Sequence, residues 1–72
     1  MRNGSDLLIE KLIERLFYDD PVTRRNAAGA LRLHGERAAP AIPALQRLLD
    51  DENKGVRQEA RRALDRLCDK VA

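Results

Sequence analysis

The sequence predicts an all-α protein built from two stacked helix-turn-helix repeats, four helices in all. Strong helix formers, chiefly Ala, Leu, Arg and Glu, are abundant in the 72 residues, and only 3% are aromatic. Apolar residues recur at spacings of three and four, as they do on one face of a helix. The chain also resembles itself at an offset of 32 to 33 residues, which indicates stacked units of one kind.

The first helix is predicted to begin after Ser5 or Asp6, since either side chain can cap a helix N-terminus, and to run to about Tyr18. Its apolar face is broader than the ~100° stripe that a helix with one buried side needs. The residues of this face are Leu7, Leu8, Ile9, Leu12, Ile13, Leu16 and Phe17. We therefore expect part of this face, including Leu8 and Leu12, to dock on another protein or on a second copy of the chain.

The second helix is predicted to run from Pro21 to about His34. Asp20 is placed to cap it, and Pro21 suits the first helical position, where a backbone N–H has no partner within the helix. Gly35 follows directly and is placed to end the helix in a left-handed conformation.

Two further helices complete the second half of the chain. The third is predicted to open at Pro40, with Pro43 tolerated near its start. Asn53 should cap the fourth, which runs to about Lys70. The apolar residues of these helices are Ile42, Leu45, Leu48, Leu49, Val56, Ala60, Ala63, Leu64, Leu67 and Val71.

The internal repeat defines the organisation of the chain. The first helix aligns with the third at an offset of 32, and the second with the fourth at an offset of 33. The extra residue is assigned to Glu52, in the inter-helix turn, because turns accept insertions easily. We predict one domain over residues 1–72, with repeat 1 at about 5–35 and repeat 2 at about 36–72.

Residues 43–67, PALQRLLDDENKGVRQEARRALDRL, resemble a HEAT repeat, in particular the short bacterial kind of phycobilin-lyase-like proteins. The matching slots are Asp51, Val56, Arg57, Ala60, Ala63 and Leu64. The first copy, LIERLFYDDPVTRRNAAGAL, departs at Thr23 in the Val slot, and further on at His34, where the second copy has Leu67. The resemblance covers about residues 7–70. It implies an α–α superhelix with the second helices on the concave side, acting as an interaction scaffold.

The arginines of the second helices have two interpretations. In HEAT repeats the arginine at the Arg24 and Arg57 positions commonly pairs with a turn aspartate, so the resemblance implies a structural ladder of Asp19, Arg24, Asp51 and Arg57. Alternatively, Arg24, Arg57 and Arg61 offer a basic surface to an acidic partner, because Arg57 and Arg61 lie one turn apart on one flank of the fourth helix.

Composition limits the class of partner. The net charge is only +2, with acidic turns and no exposed aromatic residues expected for stacking on bases, so nucleic-acid binding through the arginine-bearing face is the weaker alternative. One cysteine, Cys68, excludes an internal disulfide and fits a reducing compartment. Charged residues interrupt the N-terminal apolar stretch at helical spacing, so we expect no signal peptide, no membrane association and a cytoplasmic location.

Catalysis is not expected. The chain has one His and one Cys, His34 and Cys68, without a third member or metal-ligand spacing, so we predict no catalytic residue, no metal and no cofactor. The function predicted is a small module for protein interaction or assembly. The alternative from another class is an accessory subunit of a bilin-lyase-like enzyme, which a partner subunit would complete.

Overall fold

The computed structural model describes the backbone of residues 4–68 and the side chains of residues 7–68, and this region contains helices and no strand. The predicted end of the last helix near Lys70, with Val71, lies outside the described residues. No helix within the described region combines the length and the apolar character needed to cross a bilayer.

Helix α1 spans Gly4–Arg15. It begins before Ser5 and Asp6, so these residues lie in its first turn instead of preceding it, and it ends at Arg15 instead of near Tyr18. A tight turn follows, in which the backbone N–H groups of Phe17 and Tyr18 donate to carbonyls three residues back, at 3.1 and 3.2 Å. This turn connects α1 to the next helix.

Helix α2 spans Pro21–His34, as the sequence predicts. The Asp20 carboxylate accepts from the Thr23 backbone N–H at 3.2 Å and from its hydroxyl at 2.9 Å, so Asp20 is the cap. The Thr23 hydroxyl bond, with further help from backbone N–H groups and Arg24, lowers the pKa of Asp20 against the cost of its desolvation. Gly35 has φ 60° and ψ −134°. Its φ is positive, but its ψ lies far from the value of about +47° of the left-handed conformation that the sequence predicts.

Replacing Gly35 by alanine should lower the free energy of unfolding by about 1–3 kcal/mol, because a side chain at this φ and ψ strains the backbone. The space around Gly35 is open, so the cost comes from conformation and not from a clash. Urea unfolding would measure it. Gly29→Ala is the matched control: Gly29 has an ordinary helical φ, and the change should stay within about 1 kcal/mol. Equal effects at both positions would contradict this account.

The third predicted helix is not continuous. Gly35–Ala41 forms a 3-10 helix that contains Pro40, the α-helix α3 covers only Ile42–Arg47 with Pro43 in its first turn, and Leu48–Asp50 is again 3-10. Two prolines lack the N–H donors that a long α-helix would need there. The expectation of four full helices is therefore corrected: three α-helices have 12 residues or more, and the third position holds a short, interrupted one.

Helix α4 spans Lys54–Cys68 within the described residues. The Asn53 side-chain oxygen accepts from the Val56 backbone N–H at 3.0 Å, so Asn53 caps the helix as predicted. The Asp51 carboxylate in turn accepts from the Asn53 backbone N–H at 2.9 Å, which fixes the turn that precedes α4.

The core lies between the inward faces of all four helical segments, and the two repeats meet chiefly where α2 packs on α4. Small side chains at this contact let the helix axes approach closely. The buried residues are Ile9, Leu12, Leu16, Ala27, Ala28, Leu31, Ala38, Ala41, Leu45, Leu48, Val56, Ala60, Ala63 and Leu67. Leu12, predicted to bind a partner, is only 6% exposed and belongs to this core, whereas Leu8 is 44% exposed.

Candidate functional site

Arg24 joins the two inter-helix turns. Its Nη1 donates to the backbone oxygens of Tyr18 and Asp19, at 2.7 and 2.8 Å, within its own repeat. Its Nη2 donates to Asp51 Oδ2 at 3.1 Å, and its Nε lies 2.9 Å from Oδ1 in an ion pair without hydrogen-bond geometry. The side chains of Arg24 and Asp51 are only 15% and 9% exposed. This guanidinium therefore bridges the repeats and is not free for an external acidic partner.

Arg57 makes the same contacts with backbone carbonyls in repeat 2 that Arg24 makes in repeat 1. Its Nη1 donates to the backbone oxygens of Asp51 and Glu52, at 2.7 and 3.0 Å. Among the side chains of residues 7–68, no carboxylate forms an ion pair with Arg57, so Arg57 lacks the contact with a carboxylate that Arg24 has.

Asp51 is the acceptor at the centre of both arrangements. Its desolvation acts to raise its pKa, but the hydrogen bonds from Arg24 and the Asn53 N–H, with the charges of Arg24 and Arg57, outweigh that effect. The net result is a pKa below the ordinary value of 3.8, so Asp51 is ionised at neutral pH.

The contacts change the predicted ladder. Arg24 and Arg57 hold equivalent carbonyls, so Tyr18 corresponds to Asp51, and Asp19 corresponds to Glu52. Arg24 donates to the backbone carbonyl of Asp19, whereas the carboxylate that it pairs with belongs to Asp51, in the next repeat. The extra residue of repeat 2 thus precedes Asp51, where the chain is 3-10, and is not Glu52 as predicted.

The predicted basic surface of Arg24, Arg57 and Arg61 is not one site. Arg24 is engaged between the turns, and Arg57 is half-buried on its own turn. Arg61 is exposed and forms no ion pair with the side chains of residues 7–68, while its neighbour Arg62 lies 3.8 Å from Glu59. Of the three arginines, only Arg61 is exposed.

A groove between α1 and α2, which we call the front groove, is open to solvent. Its volume is about 480 Å³. Its lining residues are Leu12, Arg15, Tyr18, Thr23, Asn26, Ala27 and Ala30. Leu8 lies one turn before Leu12 on the same face of α1 and is exposed, but it is not among the residues that line this groove.

The corresponding surface of repeat 2 is covered. At the offset of 33, the α2 residues of the front groove, Thr23, Asn26, Ala27 and Ala30, become Val56, Glu59, Ala60 and Ala63. Of these, Val56, Ala60 and Ala63 are fully buried. Helix α2 lies against this part of α4: Arg32 Nε is 3.0 Å from Glu59 Oε1, and Arg25 approaches Gly55. The front groove is thus the surface of repeat 1 that corresponds to the surface on which α2 packs in repeat 2, and no helix of the described residues covers it.

Sequence reasoning missed the front groove, although the repeat offset contains the signal for it. A second depression of about 410 Å³ lies over the junction of α2 and α4 and includes Leu33, which is 71% exposed. The one carboxylate of its lining, Glu59, is already paired, because it accepts from Arg32 and lies near Arg62.

His34 and Cys68 do not line the front groove, and Cys68 is exposed near the end of α4. Among the side chains of residues 7–68, no three of His, Cys, Asp or Glu are grouped to hold a metal ion. In the turns, Asp20 caps α2, and Asp51 accepts from Arg24 and from the Asn53 N–H.

Comparison with known proteins gives one family. A family model described as HEAT repeats matches residues 9–72. No curated protein and no solved structure gives a significant match. HEAT repeats are commonly scaffolds for protein interaction. Because the match covers nearly the whole sequence and agrees with the paired helices of the structure, the chain belongs to the HEAT repeat family.

Proposed function

We propose that this chain is a protein-interaction module that binds its partner through the front groove and has no chemistry of its own. The observation that supports the proposal is the difference between the two repeats. In repeat 2, Val56 and Ala63 are fully buried, whereas the corresponding residues of repeat 1, Thr23 and Ala30, are half-buried and line an open groove. Covering this groove with a helix is energetically favourable, because the apolar part of its surface leaves water.

The other candidate functions have less support. A bilin-lyase-like accessory role, suggested by the resemblance to short bacterial repeats, would need His34 or Cys68 in a cofactor-sized cleft, and the front groove contains neither. Phe17 and Tyr18 are exposed, so the expectation that no aromatic residue is available for stacking is wrong. Nucleic-acid binding would also need free cations on one face, but Arg24 and Arg57 are directed to the turn carbonyls. We place the module in the cytoplasm, where the unpaired thiol of Cys68 would remain reduced.

Affinity purification from native cells with matched variants tests this function. Asn26→Arg puts a long charged side chain into the front groove at an exposed helical position, and Gln58→Arg puts the same side chain at an exposed position of α4. We expect Asn26→Arg to reduce the recovery of specific partner proteins about tenfold, while Gln58→Arg leaves it unchanged. Equal recovery with all three chains, or equal loss with both variants, would overturn the proposal.

A further inference from the structure

We infer that the partner enters the front groove with an acidic amphipathic helix that carries a ridge of small residues, and that this helix belongs to a different protein and not to a second copy of the chain. The inference rests on the proposed function and specifies the chemistry of the partner. It follows from comparing the open groove with its filled counterpart in repeat 2.

The filled groove shows the shape of helix that fits. Helix α2 enters it with a face that has Ala28 and Gly29 at its centre and Arg25 and Arg32 at its ends. Ala28 is fully buried, and a Cβ at Gly29 would lie 3.3 Å from Glu59 Oε1. Small residues at these two positions therefore leave room for the α4 side chains at the centre of the contact, the Glu59 carboxylate above all. A helix entering the front groove at the same depth needs the same ridge.

The charges of the two grooves differ in sign. In repeat 2 the carboxylates of Asp51 and Glu59 receive Arg24 and Arg32 of the docked helix. The corresponding positions of the front groove are Tyr18 and Asn26, which carry no charge at neutral pH. The front groove also contains Arg15, which is exposed and forms no ion pair within the described residues. A helix with arginines would lose both ion pairs and face a like charge, whereas an acidic helix gains one.

A second copy does not meet these requirements. In a second copy, α2 already packs against α4 of the same chain. Only the outward face of α4 could then dock, and this face corresponds to the face of α2 that contacts α4. Arg61 and Arg62 occupy the places of Ala28 and Gly29 on that face, and both are exposed. Two large cations would prevent close approach and would be repelled by Arg15. The same charges act against end-to-end stacking of copies.

Two synthetic probes test the inference. The basic probe is a stapled helical peptide of residues 20–34, DPVTRRNAAGALRLH, and the acidic probe is the same peptide with Arg24→Glu, Arg25→Glu and Arg32→Glu. Both keep the Ala28 and Gly29 ridge, so they differ only in charge. We expect the full chain to bind the acidic probe about tenfold more tightly, as measured by fluorescence anisotropy, a difference of about 1.4 kcal/mol.

Variants of the chain assign the preference to the groove. Arg15→Glu should reverse the preference between the probes, while Arg47→Glu, the same change at the end of α3, should leave it unchanged. Circular dichroism would verify that both variants remain folded. In sedimentation across a concentration series, the chain should remain a single species with the monomer mass.

Equal binding of the two probes, no binding of the acidic probe, or concentration-dependent self-association would overturn the inference. The proposed function is tested separately by partner recovery with Asn26→Arg. If that recovery falls but the acidic probe does not bind, the interaction module stands and the partner's chemistry is wrong. If the acidic probe binds through Arg15 but recovery is unaffected, the groove has the inferred chemistry and the proposed function fails.

Discussion

Replacing Arg24 by alanine should lower the free energy of unfolding by about 2–4 kcal/mol, the loss typical of a largely buried charged group that makes several hydrogen bonds. The substitution removes the donors of the Tyr18 and Asp19 carbonyls and leaves the Asp51 carboxylate, which is 9% exposed, without its arginine. Urea unfolding followed by circular dichroism would measure the change. Arg24→Lys should also be destabilising, because an ammonium cannot bridge the two turns with a planar fork of donors.

Two other arginines serve as graded controls for Arg24. Arg57→Ala loses only two carbonyl contacts and should cost about 1 kcal/mol. Arg61→Ala removes an exposed side chain and should stay within about 0.5 kcal/mol. A double-mutant cycle of Arg24→Ala with Asp51→Asn should show a coupling free energy that Arg57→Ala with Asp50→Asn does not. If Arg24→Ala and Arg61→Ala cost the same, the bridge between the repeats does not stabilise the fold.

Replacing Leu31 by alanine should cost about 2–5 kcal/mol, because it removes a fully buried side chain of α2 and leaves a cavity. A domain of 72 residues has a small core, and domains of this size are typically stable by only about 5 kcal/mol, so the substitution should remove a large share of the stability and lower the unfolding temperature. Thermal unfolding by circular dichroism would measure the effect.

Leu33→Ala is the matched control for Leu31→Ala, since it is the same change two residues later in the same helix. Leu33 is 71% exposed, and we expect a change within about 0.5 kcal/mol. Similar destabilisation by both variants would contradict the orientation of α2 in which Leu31 faces the core and Leu33 faces solvent. The pair therefore tests which face of α2 enters the core.

Much of the local structure was predictable because neighbouring residues determine it. Asp20 and Asn53 cap α2 and α4, Gly35 has its positive φ, and Val56, Ala60 and Ala63 occupy the core. Each of these depends on a cap, a backbone preference or a helical spacing within a few residues. The errors of helix boundary, as at the end of α1, arise where tight turns replace the last helical turn.

The third helix and the equivalence of the turns were not predictable in this way. Whether a segment with Pro40 and Pro43 remains α-helical depends on the competition between the missing donors and the packing of Ala38, Ala41 and Leu45 in the core. That competition also shifts the register before Asp51, so the pairing of Arg24 with Asp51 could only be read from the contacts.

The sequence by itself determined the helical class, the caps and most of the core, since these depend on residue spacing along one chain. The tertiary structure decided which apolar and charged groups remain available. Leu12 is covered and Leu8 is not, and Arg24 is used between the turns while Arg15 forms no ion pair with the side chains of residues 7–68. Such differences arise because burial and charge pairing depend on how α2 packs between α1 and α4, a relation between distant segments that a periodic pattern does not contain.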